Sequence, residues 1–191
     1  VMNPETTSFS SIIQHQLEPE IYSFKGLEAF IKLAKAKKLK QFPIHIKLDT
    51  GMHRLGFQES DMPQLISILS NHTCIKVQSI LSHLAASDDL KLLHFTLKQV
   101  AQFETMSTHL INALGYTPIR HLLNTSGISN FTTAQYDMVR LGIGLYGVSN
   151  DVEEQKSLEI VGTLKSVISQ IRTIQKDESV GYGRHFIAAK T

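Results

Sequence analysis

Apolar and polar positions change period several times along this chain, and each change predicts an element. The run "FPIHIKLD" (residues 42–49) alternates, so that Ile44, Ile46 and Leu48 share one face of a strand while His45, Lys47 and Asp49 share the other. Further β-rich runs are "VMN" (1–3), "IYSF" (21–24), "IKVQSILSHLA" (75–85), "PIRHLLN" (118–124) and "DMVRLGIGLYGV" (137–148). Between them lie longer helical patterns at 7–17, 25–40, 59–72 and 89–115. In the last of these, Leu93, Leu97, Val100, Phe103, Met106 and Leu110 recur at helical spacing and predict a core-facing stripe. Strand–helix alternation of this kind predicts an α/β fold of parallel strands joined by right-handed crossovers. The opening "VMNPETTS", an apolar pair breaking into a turn, has the look of a strand end.

After Gly147 the pattern changes. Residues 149–157, "SNDVEEQKS", are polar and predict a linker. Residues 158–191 are rich in β-branched side chains, carry no helical stripe and contain the turn "QKDES". They predict the beginning of a separate antiparallel β domain.

Composition narrows the function classes. At 42% hydrophobic and 19% charged residues over 191 positions, the chain is an ordinary globular one. A formal net charge of +2 is too small to argue for nucleic acid, and the lysine-rich "KLAKAKKLK" sits on a helical pattern as a solvated face. The single cysteine, Cys74, excludes an intramolecular disulfide and fits a reducing compartment, so a cytoplasmic location is expected. No apolar run is long enough to span a membrane, and the opening has no secretory pattern, so no membrane partner is expected either.

The polar face of 42–49 then asks for an explanation. Strands of a parallel sheet are buried on both faces, so a polar face there lines either a site or a satisfied hydrogen-bonded network. Polar residues recur at the ends of successive strands: Lys47 and Asp49, then His83, Asn124 and Arg140. Taken singly each has a plain reading. His83 or Asn124 could cap a helix, Lys47 could extend its stem to the rim, and Arg54 could pair with Asp49 or Glu59 and only pin a loop. Four strand ends in succession favour a site, because a (β/α)8 barrel assembles its active site from the C-terminal ends of its strands. Two glycine patterns add to this. "RLGIGLYG" gives bare backbone beside Arg140, and "NTSG" supplies hydroxyls and amides, so together they could cradle an anion such as a phosphate.

Five segments, "KLDTGMHRLGF", "SHLAASDD", "NTSGISNF", "DMVRLGIGLYG" and "ESVGYG", together resemble the alanine racemase family, in its order and at similar spacing. That family is built from a (β/α)8 barrel followed by a β domain. The resemblance implies that residues 1–148 are the later part of the barrel. It implies pyridoxal 5'-phosphate (PLP) as cofactor, interconversion of L- and D-alanine for cell-wall peptidoglycan in a bacterium, a two-base mechanism and a homodimer. By the same resemblance Arg54 would steer the substrate carboxylate, and His83 would pack on the cofactor ring. Arg140 would hydrogen-bond the ring nitrogen, with His121 behind it as its partner. Asn124, Thr125, Gly142 and Ile143 match the phosphate-cradle positions, although the family commonly has serine where this chain has Thr125 followed by Ser126. Lys47 is similar to a lysine that the family often carbamylates. Tyr182, between two glycines, matches the tyrosine base that reaches a partner subunit's site. The Schiff-base lysine is expected ahead of Val1, so the 191 residues alone are expected to be inactive.

Three other readings remain. A non-catalytic protein could keep the barrel to bind PLP or another phosphate, but Tyr182 and Arg54 argue against it, because binding alone needs neither. Lys47, His83 and His121 could belong to a metal-dependent barrel hydrolase with a carbamylated lysine, but the His-x-His pair expected there is absent and no metal is expected. Within the racemases, serine or another small amino acid is the alternative substrate.

Overall fold

The alternating run becomes the second of four parallel strands. They are β1 (Glu20–Ile21), β2 (Phe42–Lys47), β3 (Ile75–Leu81) and β4 (Ile119–His121), and they lie side by side in chain order. The structure is a computed structural model and describes all 191 residues. They form two units, Val1–Ile160 and Val161–Thr191.

In the first unit, helices alternate with the strands: α1 (Phe9–Gln14), α2 (Phe24–Ala36), α3 (Met62–Ser70), α4 (Leu93–Leu114) and the short α5 (Thr125–Asn130) and α6 (Val152–Gln155). Local chemistry sets their ends. The Ser23 hydroxyl accepts from the Gly26 amide at 3.2 Å and so starts α2, which shortens the expected strand 21–24 to its first residue. Pro63 occupies the first turn of α3, where its missing N–H costs nothing. Gly115, at φ 72°, ends α4 in the left-handed conformation that glycine adopts without strain.

Ile44, Ile46 and Leu48 are buried against Leu27, Phe30, Leu65 and Phe103, each at most 1% exposed, which is the apolar layer the alternation predicts. The α4 stripe is only half as expected. Phe103, Met106 and Leu110 are buried, but Leu93 and Leu97 are 43% and 50% exposed. Thr96 and Gln99 are buried in their place. Their side chains bond the loop after β3: Thr96 Oγ1 to the Ala86 carbonyl, and Gln99 to the Ala85 amide and the His83 carbonyl. A loop with unpaired backbone groups thus selects polar side chains where periodicity predicts apolar ones.

Two expected strands do not form. Residues 1–3 are not strand, although the Val1 carbonyl accepts from the Glu20 amide. Residues 137–148 form no strand: one bridge, His121 to Met138, is flanked by backbone bonds from the Asp137 amide to the Arg120 carbonyl and from the Arg140 amide to the Leu123 carbonyl, and the chain then turns into a short 3-10 segment, Ile143–Tyr146. Their glycine amides are spent on a side chain, described below, rather than on a neighbouring strand.

In the second unit, β5 (Ser179–Val180) pairs antiparallel with β6 (Phe186–Ile187). The stretch before them is without regular structure, and Leu164, Val167, Ile168 and Ile171 are all at least 80% exposed. No helix of the chain is long and apolar enough to cross a membrane.

Candidate active site

The loop after β2 is folded by Asp49. One carboxylate oxygen accepts from the amides of Gly51 and His53, both at 3.0 Å, and the other meets the His53 ring at 3.0 Å. Burial acts to raise the Asp49 pKa, but the His53 and Gly51 amides and the His53 ring outweigh it, and the net shift is downward. Gly56 then lets the chain close back on the strand. Its φ is +133°, and a Cβ there would lie 2.6 Å from the Asp49 nitrogen. Across that contact the Phe57 amide donates to the Lys47 carbonyl and the Asp49 amide to the Phe57 carbonyl, at 2.9 and 2.8 Å. Asp49 is therefore a loop organiser, with His53 as its partner, and Arg54 stands exposed on the same loop outside any ion pair.

The polar face of the sheet is buried and paired. Lys47 Nζ donates to Glu20 Oε1 at 3.2 Å, with the two side chains 5% and 4% exposed. This bears on the carbamylation expected at Lys47. A carbamate would replace the ammonium by an anion and set it against the Glu20 carboxylate, with both groups out of water. Glu20 is not among the residues that the sequence patterns single out; its signal is an acid inside the apolar "PEIY" run, facing a strand that carries a lysine.

Arg140 is anchored by its four terminal N–H groups. Nη1 donates to His121 Nδ1 at 2.5 Å and to the His121 carbonyl at 3.1 Å. Nη2 donates to the Ser82 carbonyl at 2.5 Å and the Leu122 carbonyl at 3.0 Å, with His83 Nδ1 at 3.3 Å. Nε–H is the donor left over. Burial lowers the guanidinium pKa to about 10, with Glu20 opposing, and leaves it charged at neutral pH. His121 is pushed down to about 3, first by burial and then by Arg140 and His45. His83 is pushed down to about 4 by burial, Arg140, Arg54 and Lys47. Both histidines are neutral near pH 7, with Arg140 opposing a positive charge on either ring.

Asn124 caps α5: its side-chain oxygen accepts from the Gly127 amide at 3.1 Å and from the Ser87 hydroxyl at 2.7 Å. Thr125 Oγ1 accepts from the amides of Gly142 and Gly144, at 3.0 and 3.2 Å. With both acceptor positions taken, the Thr125 hydroxyl keeps its proton free to donate outward. A Cβ at Gly144 would lie 2.6 Å from Thr125 Cγ2, so glycine is what allows this approach.

His83, Asn124, Thr125, Arg140, Gly142 and Ile143 line one cavity of about 540 Å3. This is within the usual range for a small-ligand site. His121 stands behind Arg140, and Lys47 lies on the buried face beneath. Arg54 does not line this cavity, and Tyr182 is fully exposed in the second unit. No three His, Cys, Asp or Glu side chains converge as metal ligands.

Comparison with known proteins gives this geometry a family. The profile of the alanine racemase N-terminal domain matches residues 1–150. The alanine racemase of Sorangium cellulosum is 30% identical over 190 residues, 98% of this chain and 49% of that protein. That of Synechocystis is 31% identical over 193 residues, covering 100% of this chain and 51% of that protein. The chain thus spans about half the length of the curated relatives it matches. Among solved structures, alanine racemase from Bartonella henselae with covalently bound pyridoxal phosphate superposes with a TM-score of 0.72 at 27% identity, over 98% of this chain and 50% of that one. The enzyme from Streptomyces coelicolor shares the fold, with a TM-score of 0.82 at 24% identity over 95% of this chain and 49% of that one. The parallel sheet with its helices, the profile match and these relatives together place the chain in the alanine racemase N-terminal domain family.

Proposed function

We propose that the cavity beside Arg140 binds PLP, and that the longer protein carrying this chain interconverts L- and D-alanine. The observation that carries the reading is the guanidinium itself. Four of its N–H groups are spent on the protein, and one donor remains beside a cavity whose other wall offers the Thr125 hydroxyl, for a ring nitrogen and a phosphate respectively. The donors therefore fit the group. PLP, when bound, supplies an electron sink for the pair left behind as the α-proton departs. The alanine racemase of Bartonella henselae carries it covalently bound.

The chain's own residues do the rest. Arg140 stays protonated and disfavours a second positive charge on the ring nitrogen, which limits side reactions such as transamination. His83, neutral and half-buried, gives the ring an uncharged face. Asn124, Thr125, Gly142 and Ile143 form the phosphate end of the cavity, where the Thr125 hydroxyl donates and Gly142, its amide turned to Thr125, leaves room. Arg54, exposed on its glycine-flanked loop, receives the substrate carboxylate. Tyr182 serves as one proton-transfer base in the site of a second copy, so the working unit is a homodimer; a lysine outside the motifs described here serves as the other. Full (β/α)8 closure, a complete antiparallel β domain, a cytoplasmic location and supply of D-alanine to peptidoglycan belong to the same reading. Serine as substrate is the second reading, since Asp88, Ser126 and Asn150 on the cavity wall offer hydrogen-bond partners to a hydroxymethyl group.

The test is direct. The full-length protein is loaded with PLP, reduced with borohydride, and assayed with alanine and with serine for inversion at Cα. A reduced cofactor on a lysine together with D-alanine formation is expected, and Arg140→Ala should lose most of the activity. A protein that takes up no PLP and forms neither D-amino acid sinks the proposal.

A further inference from the structure

His121, on β4, joins Arg140 to the polar face of the sheet, and its own second nitrogen is also engaged. An arginine only donates, so His121 Nδ1 accepts from Nη1 and the imidazole proton sits on Nε2. That N–H meets Ser79 Oγ at 3.0 Å. The serine proton then goes to His45 Nδ1, 2.6 Å away. His45 therefore carries its proton on Nε2, where Glu18 Oε2 accepts it at 2.8 Å. Every link has one direction, set by the arginine at one end and the carboxylate at the other. The path crosses the sheet at right angles to the strands, from the residue two before β1, through β2 and β3, to β4. His45 and Ser79 are register partners, so the pleat puts both on the polar face. Ser79 and His121 are 1% and 5% exposed, so water does not substitute for a broken link at the centre.

We propose that Ser79 and His45, terminated by Glu18, are positioning residues for Arg140: their one-way hydrogen-bond chain fixes His121 as the tautomer that accepts from the guanidinium. The functional half of this rests on the reading of the cavity as a PLP site. If His121 carried its proton on Nδ1 instead, two N–H groups would face each other across the Arg140 contact. Without the Ser79 hydroxyl, the His121 Nε2–H has no acceptor on its far side, and the Arg140 contact alone is left to oppose the second tautomer, which becomes accessible. Arg140 then keeps three backbone carbonyls, of Ser82, His121 and Leu122, but loses the only partner that fixes Nη1 from a side chain. The expected loss is therefore partial.

The tautomers can be read without any activity. The full-length protein, labelled with 15N at histidine, is examined with and without PLP, and the His45 and His121 signals are assigned by His45→Gln and His121→Gln. Both rings should be neutral with the proton on Nε2. Ser79→Ala should turn His121 into a tautomer mixture, and Ser79→Thr, which keeps the hydroxyl, should restore the single form. In the PLP-loaded enzyme, Ser79→Ala should lower kcat about ten-fold, the lower end of the scale seen when the hydrogen-bond partner behind a metal-ligating histidine is removed. KM for alanine should stay close to wild type, and Ser79→Thr should recover kcat.

A wild-type His121 protonated on Nδ1 overturns the chain, whether or not Ser79→Ala folds. The stated tautomers with unchanged kcat in Ser79→Ala overturn the positioning role. The stated tautomers in a protein that binds no PLP overturn the proposed function and the positioning role with it, and leave only the hydrogen-bond geometry standing.

Discussion

Two stretches of this chain are rich in strand-forming residues and come to opposite ends. On the polar face of the parallel sheet, Glu20, Lys47, Ser79 and His121 are each at most 5% exposed, and each has a side-chain partner. In residues 161–191, apolar β-branched side chains stand in water, and Tyr182 is fully exposed. Burial here follows partners rather than hydropathy. A charged group can be buried where a neighbouring strand delivers its counter-charge in register, whereas valine and isoleucine stay exposed where these residues lay no second layer against them.

The largest effect that would break this contrast is a pair of truncations in the chain. Phe103→Ala removes a fully buried ring from α4 and should cost about 3–5 kcal/mol of unfolding free energy. Ile168→Ser, at a position 80% exposed, should change it by no more than about 0.5 kcal/mol. Urea unfolding of the two variants checks this. Equal losses would mean that the second unit has a core of its own.

The same contrast explains what the sequence shows and what it hides. The β2 alternation is legible because Ile44, Ile46 and Leu48 need only local periodicity to share a face. Leu93 and Leu97 mislead because periodicity ignores backbone groups, and the loop after β3 takes Thr96 and Gln99 for its amide and carbonyls. Residues 137–148 mislead for a similar reason, since Gly142 and Gly144 give their amides to the Thr125 hydroxyl. For the site, the strand-end residues His83, Asn124 and Arg140 are legible one by one, and the cavity gathers them. Glu20 and Ser79 are not. Their importance lies in what faces them across the sheet, and register is the one thing a single strand does not carry.

A second effect of intermediate size is the dependence of stability on pH. His83 and His121 have folded pKa values of about 4 and about 3, and His45 is also lowered, first by burial, with Glu18 and Glu20 opposing. The ordinary histidine value is 6.5. Between that value and 4 the unfolded chain binds protons that the folded chain refuses. The contribution of these rings is therefore complete above about pH 6.5 and is lost as pH falls. Each fully refused proton is worth up to about 1.4 kcal/mol per pH unit. The urea midpoint should drop clearly between pH 7 and pH 5, and His121→Gln should flatten that drop. A midpoint unchanged over this range would show that the buried polar face does not exclude protons.

The smallest expected effect is a signal that does not appear. Forming a carbamate at Lys47 requires the ammonium to give up one proton so that the amine can attack CO2; the N–C bond forms as a C=O π bond breaks, a second proton leaves, and a cation has become an anion. Glu20, 3.2 Å from Nζ and equally buried, already occupies that nitrogen and would repel the anionic product. In 13C-bicarbonate the wild-type protein should therefore show no carbamate resonance. Glu20→Gln keeps the shape, removes the opposing charge and offers an amide N–H to a carbamate oxygen, so a resonance should appear in that variant and vanish in the double variant with Lys47→Arg. A carbamate in the wild type would mean that the Lys47–Glu20 pair is not kept in solution, and that the buried face tolerates an anion in place of a cation.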